Sequence, residues 1–177
     1  MREMHAEAYA ERGRRFLLIK APPASGKSRA LMFIALDKLA HQGIKKVIVA
    51  VPEKSIGRSF NNTDLKSHGF FANWKIAPYF NLCDATNEKD KADRFCEFFH
   101  QDAAPILLCA HATLRNGMSQ LSDEVMNDCL LAIDEFHHSS ADAASQLGDI
   151  VRRVMNNTTG HMVAMTGSYF RGDRTPV

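Results

Sequence analysis

The amino-acid sequence predicts an α/β fold in three layers, with a mainly parallel β-sheet flanked by helices. Two observations support this fold class. Short continuous apolar runs, which are typical of strands buried on both faces, alternate along the chain with segments of helical periodicity. The length of 177 residues and the hydrophobic fraction of 45% are sufficient for one domain with a sizeable core.

The predicted elements follow one another as strand, polar loop and helix. The predicted strands are 16–19, 46–52, 105–110, 129–134 and 161–166, and the segment 74–79 is a candidate for a further short strand. The predicted helices are 28–41, 92–99 and 140–155. The first of them is apolar nearly all round, which indicates a buried helix, and Gly43 is expected to cap its end.

Composition excludes several classes of protein. The net charge of +2 gives no global basic field, so any nucleic-acid binding must come from a local patch. No run of 18 apolar residues occurs, and the charged N-terminus does not have the apolar core of a signal peptide, so no membrane partner is expected. Four cysteines without a Cys-x-x-Cys pair are expected to be core residues in a reducing, cytoplasmic compartment: Cys83, Cys96, Cys109 and Cys129.

A phosphate-binding loop is predicted between the first strand and the first long helix. The segment 21–28 has Walker A spacing, with Ala21 at the first position in place of the usual glycine and Ala24 where many loops have another. Glycine permits close backbone approach to phosphate, lysine neutralises the β- and γ-phosphates, and a serine hydroxyl binds Mg²⁺. The candidate ATP-binding residues are Pro22, Pro23, Ala24, Ser25, Gly26, Lys27 and Ser28.

An acidic pair follows the apolar run 129–133. At the end of a buried strand, Asp134 is placed to bind Mg²⁺ together with Ser28, and Glu135 is placed to polarise the attacking water. The predicted catalytic residues are therefore Glu135 and Lys27. The adjacent His137 and His138 do not predict a zinc site, because no cysteine or carboxylate stands at ligand spacing from them.

With these two motifs, the chain resembles the superfamily 2 helicases and translocases of the DExH type, and in particular their restriction-enzyme-like and phage-like branch. The segment 21–28 is similar to motif I of that family, and 134–137 to motif II. Three weaker similarities follow in the expected order: 51–55 resembles motif Ia, 109–114 resembles motif Ib, and 165–171 resembles motif III.

The resemblance implies a first RecA-like domain that binds ATP and Mg²⁺. It also implies a second RecA-like domain with arginine fingers, and nucleic acid as a partner. The residues that it implies for coupling are His137, Thr166 and Ser168, and those for nucleic-acid binding are Pro52, Lys54, Ser55, His111, Thr113 and Arg115. Two alternatives stay open: Lys54 as part of a solvated helix face, and His111 as a core histidine at a strand end.

The predicted organisation is a helical extension over 1–15, the ATP-binding domain over 16–173, and the start of a continuation at 174–177.

The leading functional hypothesis is the ATP-binding half of a nucleic-acid-dependent ATPase. The motif III region favours DNA over RNA. One alternative is a nucleotide- or nucleic-acid-binding module without chemistry, for which Glu135 would have no use. Another alternative is a small-molecule kinase, but the Asp-Glu-x-His sequence at the strand end disfavours it. Nothing in the first 15 residues resembles an adenine-reading glutamine motif, so base selectivity is open.

Overall fold

The computed structural model describes residues 3–22, 24–136 and 141–167. Strands and helices alternate through this part of the chain, as the sequence predicts. In chain order the elements are α1 (Glu3–Ala10), β1 (Phe16–Lys20), α2 (Lys27–His41), β2 (Lys46–Val51), α3 (Glu88–Phe98), β3 (Ile106–Ala110), α4 (His111–Met118), β4 (Cys129–Ile133), α5 (Ala141–Asn157) and β5 (His161–Thr166).

The strands form one parallel sheet in the order β1-β5-β4-β2-β3. In this register Val47 of β2 lies opposite both Leu130 of β4 and Ile106 of β3. Every residue of β2 is buried, which explains why that strand reads as a continuous apolar run rather than an alternating one. The predicted α/β class with a parallel sheet flanked by helices is confirmed.

The sheet separates two apolar cores, so the fold has three layers. Val47 and Val49 face a core shared with α2, to which Ile34 contributes. Their neighbour Ile48 points to the opposite face, where Phe95 of α3 and Leu147 of α5 pack. Successive side chains of a strand point to opposite faces, so β2 supplies both cores.

Helix α2 is buried because apolar groups surround it. Side chains from Ala30 to Lys38 are all buried, including the ammonium-bearing side chain of Lys38. Lys38 Nζ lies 2.9 Å from the Arg14 carbonyl oxygen and 2.9 Å from Nδ1 of His161, and burial lowers the pKa of Lys38 to about 8. Gly43, at φ 71°, follows the helix end, which confirms its predicted capping role.

The candidate strand at 74–79 is wrong. Trp74 makes only an isolated antiparallel bridge to Thr63, and a 3₁₀ turn covers Pro78–Phe80. Pro78 has no N–H to donate to a neighbouring strand. The Trp74 indole N–H donates to the Phe60 carbonyl oxygen at 2.9 Å, within the same loop region. The apolar side chains of this segment therefore enter the core from a loop.

Helix α4, which the sequence analysis did not identify, packs closely against α3. A Cβ atom on Gly117 would lie 2.2 Å from Cδ1 of Phe95. Glycine is therefore required at this contact, because only a hydrogen atom fits between the α4 backbone and the aromatic ring.

Gly117→Ala is expected to destabilise the fold by about 1–3 kcal/mol, the usual cost of overpacking a core contact. Gly148→Ala in α5 is the matched control, because a Cβ atom there would meet nothing within 4 Å. Alanine favours a helix by about 1 kcal/mol over glycine, so the control is expected to gain stability. Urea unfolding of both variants measures the difference, and equal midpoints would contradict the close packing of α3 and α4.

Candidate functional site

The loops that follow β1, β4 and β5 meet at one edge of the sheet. The Ala21 N–H donates to the Thr166 carbonyl oxygen at 3.1 Å, which ties the start of the phosphate loop to the end of β5. The Phe136 N–H donates to the Met165 carbonyl oxygen at 3.2 Å, which ties the loop after β4 to the same strand. The sheet order thus brings the two main sequence motifs together, although they are about a hundred residues apart in the chain.

Two of the described residues of the phosphate loop have positive φ angles. Gly26, at φ 94°, precedes α2, and Ala24 has φ 60°, which is unfavourable for a residue with a Cβ atom. Ala21 is buried and is not among the described non-glycine residues with positive φ. An alanine is therefore unstrained at the first position, while the alanine at 24 is strained. Pro23 lies outside the described residues.

Ala24→Gly is expected to stabilise the chain by up to about 1 kcal/mol, because glycine removes the Cβ contact that disfavours the left-handed region. Ala21→Gly is the matched control: this residue is buried without positive φ, so the change only removes a packed methyl group and loosens the unfolded chain. We expect opposite shifts of the thermal unfolding midpoint. A fall in the midpoint of Ala24→Gly would contradict the strain at that position.

The ammonium group of Lys27 is held by protein oxygens. Its Nζ donates to the carbonyl oxygens of Ala21 and Pro22, at 3.2 and 3.3 Å, and lies 3.4 Å from Oε1 of Glu135. The Lys27 side chain is 8% exposed, so this ion pair is shielded from solvent. A phosphate group entering the loop would offer Lys27 the same kind of charged oxygen partners.

The acidic pair is fixed through its backbone. The Asp134 N–H donates to the Ala50 carbonyl oxygen at 2.8 Å, and Nε2 of His111 donates to the Asp134 carbonyl oxygen at 3.0 Å. The next residue, Glu135, has φ 48°, and its Oε2 accepts the Gly167 N–H at 3.2 Å. A non-glycine residue with this φ is uncommon, and such strain often marks functional sites.

Gly167 was missed by the sequence analysis as a site residue. A Cβ atom there would lie 3.1 Å from Nζ of Lys27 and 3.2 Å from Oε1 of Glu135. The position therefore brings the backbone N–H close to the ion pair, and a Cβ atom there would require both side-chain ends to shift by a few tenths of an ångström. The available signal was its place directly after the last strand, within the segment similar to motif III.

Two predicted nucleic-acid residues are buried. The exposed fractions of His111 and Thr113 are 3% and 4%, so neither side chain offers surface to a phosphate backbone. Burial lowers the pKa of His111 to about 4, which keeps its imidazole neutral and able to donate to the Asp134 carbonyl. The burial of His111 favours the alternative of a core histidine at a strand end, and nucleic-acid binding by His111 and Thr113 stays a prediction.

The other predicted nucleic-acid residues follow the neighbouring strands β2 and β3, with Arg115 inside α4. Pro52 and Arg115 are half-buried. Lys54 and Ser55 begin a 3₁₀ helix, Lys54–Phe60, that follows β2. Of the predicted coupling residues, Thr166 is buried at the end of β5, whereas His137 and Ser168 lie outside the described residues.

The predicted magnesium ligands suit that ion chemically. Ser28 lies in the first turn of α2, and Asp134 follows β4, so both offer hard oxygen donors at the same edge of the sheet. Residues 3–22, 24–136 and 141–167 contain no group of three or more His, Cys, Asp and Glu side chains that could hold a metal. Magnesium bound with a nucleotide uses one or two protein ligands, phosphate oxygens and waters, so two donors fit.

Comparisons with known proteins identify the family of this chain. The family model "Type III restriction enzyme, res subunit" matches residues 2–171. The "Putative ATP-dependent helicase YeeB" of Bacillus subtilis (strain 168) is 56% identical over 177 residues, which are 100% of this chain and 29% of that protein. "Putative helicase 22" of a Sulfolobus islandicus filamentous virus is 29% identical over 130 residues, 73% of this chain and 21% of that protein.

Two solved structures share the fold. The helicase domain of Hef from Pyrococcus furiosus matches 95% of this chain and 33% of its own, with a TM-score of 0.65 and 18% identity. The UvsW helicase from bacteriophage T4 matches 98% of this chain and 54% of its own, with a TM-score of 0.60 and 16% identity. The fold is thus that of a RecA-like helicase domain.

The chain spans less than a third of the length of the two curated relatives described above. No helix in the described part of the chain is both long and apolar enough to cross a membrane. The family model covers nearly all of the sequence, and the phosphate loop and acidic pair lie at one edge of a RecA-like sheet. The chain belongs to the family of the type III restriction enzyme res subunit, as a superfamily 2 helicase-type domain.

Proposed function

We propose that this chain is the first RecA-like half of a nucleic-acid-dependent ATPase, which hydrolyses ATP and couples hydrolysis to movement on nucleic acid. The observation that carries the proposal is the 3.4 Å contact between Nζ of Lys27 and Oε1 of Glu135. This contact supports the proposal because it joins Lys27, the candidate phosphate-binding cation of one motif, to Glu135, the candidate base of the other. A helicase or a DNA translocase both fit this arrangement.

Nucleotide binding begins with an exchange of partners at Lys27. The phosphates of ATP enter the loop in front of α2, where the free N–H groups of a helix start favour anions. Lys27 then turns from Glu135 and from its loop carbonyls to the β- and γ-phosphates. Ser28 and Asp134 would hold Mg²⁺, which would supply neutralisation of charge on the phosphate oxygens.

Hydrolysis uses the carboxylate that this exchange releases. Glu135 orients a water molecule and accepts its proton, the water oxygen bonds to the γ-phosphorus, and the bond to the β-γ bridging oxygen breaks. ADP carries away the leaving oxygen. The Gly167 N–H, which already donates to Oε2 of Glu135, supports the orientation of that carboxylate.

We further propose His137, Thr166 and Ser168 as the residues that relay the nucleotide state.

Nucleic acid is proposed to lie across the ends of β2 and β3. Pro52, Lys54, Ser55 and Arg115 are the candidates there, and such hydroxyls and cations grip phosphates without reading bases. DNA is favoured over RNA because the motif III region resembles the restriction-enzyme-like branch. The complete protein is proposed to add a second RecA-like domain, and to act in the cytoplasm, where ATP and nucleic acid are both present.

The alternative is a module that binds nucleotide without hydrolysing it. The strained Ala24 in the loop is the observation that favours it. Such a module would have no use for a carboxylate at 135, whereas the proposed ATPase requires one. A comparison of binding and hydrolysis in the same protein therefore separates the two functions.

The first experiment is a Mg-ATP titration of this chain, followed by a phosphate-release assay. We expect binding that requires Mg²⁺, and turnover far below about 1 per second. The arginines of a second domain typically supply about 10³-fold or more in rate, and they are expected outside this chain. A rate near 1 per second would contradict the half-site model. Undetectable binding would contradict the assignment of the phosphate site.

A further inference from the structure

The helix α1 contacts the phosphate loop through His5. This histidine is 5% exposed, and its Nε2 lies 3.1 Å from the carbonyl oxygen of Gly26. Its ring also meets the edge of the Phe33 ring, with 5.9 Å between centroids and an interplanar angle of 73°. The first predicted element of the chain is thus part of the wall of the nucleotide site.

The hydrogen bond between His5 and Gly26 has a defined direction. A carbonyl oxygen only accepts, so Nε2 of His5 carries the hydrogen. The same oxygen accepts the N–H groups of Arg29 and Ala30, both at 3.1 Å. Three donors from two helices therefore fix the orientation of this carbonyl.

The orientation of this carbonyl sets the orientation of the next N–H. The peptide bond is planar and trans, so the Gly26 carbonyl and the Lys27 N–H belong to one rigid plane and point in opposite directions. The Lys27 N–H is among the first N–H groups of α2, which have no partner within the helix. Fixing the carbonyl toward α1 and α2 therefore aims this donor away from them, as phosphate binding at a helix start requires.

The fit between His5 and the loop is tight. A Cβ atom on Gly26 would lie 2.4 Å from Nε2 of His5, so the contact excludes any side chain at that position. The helix α1 is also anchored farther along, where the Tyr9 hydroxyl donates to Oδ1 of Asp37 at 2.9 Å. Nε of Arg12 lies 3.3 Å from the same carboxylate oxygen. Because both ends of α1 are attached to α2 and its loop, the imidazole is held in place.

We propose that His5 is a positioning residue of the phosphate site, which orients the Gly26–Lys27 peptide so that the Lys27 N–H binds phosphate. The inference rests on the proposed function, because it assigns His5 a role in that same nucleotide site. It concerns the phosphates and not the base, since the contact is to the loop backbone.

The test compares His5→Leu, which fills the space without a donor, with His5→Gln, whose amide nitrogen can take the place of Nε2. Mg-ATP and magnesium tripolyphosphate are each titrated into the chain, and urea unfolding is measured in parallel. The loss of one oriented donor is expected to weaken both ligands about tenfold in His5→Leu. His5→Gln is expected to stay within about threefold of the wild type.

His100→Leu is the matched control, because this histidine is exposed beyond the end of α3 and far from the loop in the fold. If the leucine variant does not fold, His5→Asn replaces it, since its amide is too short to reach the carbonyl. Unchanged affinities in His5→Leu or His5→Asn would overturn the inference and leave the proposed function intact. A loss for ATP but not for tripolyphosphate would also overturn it, by showing a contact to the base. A wild-type chain that binds neither ligand would overturn both.

Discussion

Glu135→Gln is expected to lower ATP hydrolysis by the complete enzyme by about 10²–10⁴-fold, the usual contribution of a general base. The amide has the shape of the carboxylate but cannot accept a proton from the attacking water. Its oxygen can still accept the Gly167 N–H, so the local backbone arrangement is expected to persist. Single-turnover phosphate release measures the effect on chemistry directly.

Nucleotide binding is expected to survive this substitution. In the structure Glu135 lies 3.4 Å from Nζ of Lys27, and in the proposed site ATP would replace that contact. Glutamine removes the competing charge, so the affinity for Mg-ATP should equal or exceed that of the wild type. Glu124→Gln is the matched control, because Glu124 is exposed on a 3₁₀ turn outside the site. A Glu135→Gln enzyme that turns over at the wild-type rate would exclude Glu135 as the base.

Lys27→Ala is expected to weaken Mg-ATP binding by about 1.5–3 kcal/mol, which corresponds to roughly 10- to 150-fold in Kd. The lysine is buried beside the loop, so its charge acts on phosphate with little screening by solvent. Isothermal titration of this chain gives the affinity, and the unfolding midpoint shows whether the variant is folded.

Lys45→Ala serves as the control for the loss of a lysine charge. Lys45 pairs with Asp128, but the two side chains are 76% and 46% exposed, so the pair contributes little and lies away from the loop. We expect its affinity for Mg-ATP to match the wild type. If Lys27→Ala and Lys45→Ala bound ATP equally well, Lys27 would not be the phosphate-binding cation.

The sheet could be predicted from sequence because its inner strands β2 and β4 are buried on both faces. Such strands are continuous apolar runs, as in 129–133, and glycine or polar residues mark their ends. The phosphate loop could also be predicted from the sequence, because its residues are contiguous. The order of neighbouring residues in the sequence was therefore sufficient to predict both the fold class and the two main motifs.

The features that the sequence did not reveal depend on contacts between distant segments. The burial of His111 depends on the carbonyl of Asp134, 23 residues away, and the contact of His5 depends on Gly26, 21 residues away. No local pattern encodes either contact. The prediction of a strand at 74–79 is wrong for a related reason. Its apolar residues resemble those of a buried strand, but Trp74 is buried in a loop and donates a hydrogen bond to the Phe60 carbonyl oxygen.

The strand β1, which carries the phosphate loop, ends the sheet formed by the described residues and pairs there with β5 alone. Its side chain Leu18 is 53% exposed, whereas β2 and β4 each have a strand on both sides. Amide hydrogens of β1 should therefore exchange with deuterium sooner than those of β2 and β4, since fewer contacts must break for local opening. Because the phosphate loop follows this edge strand, nucleotide binding should be detectable as slower deuterium uptake in β1.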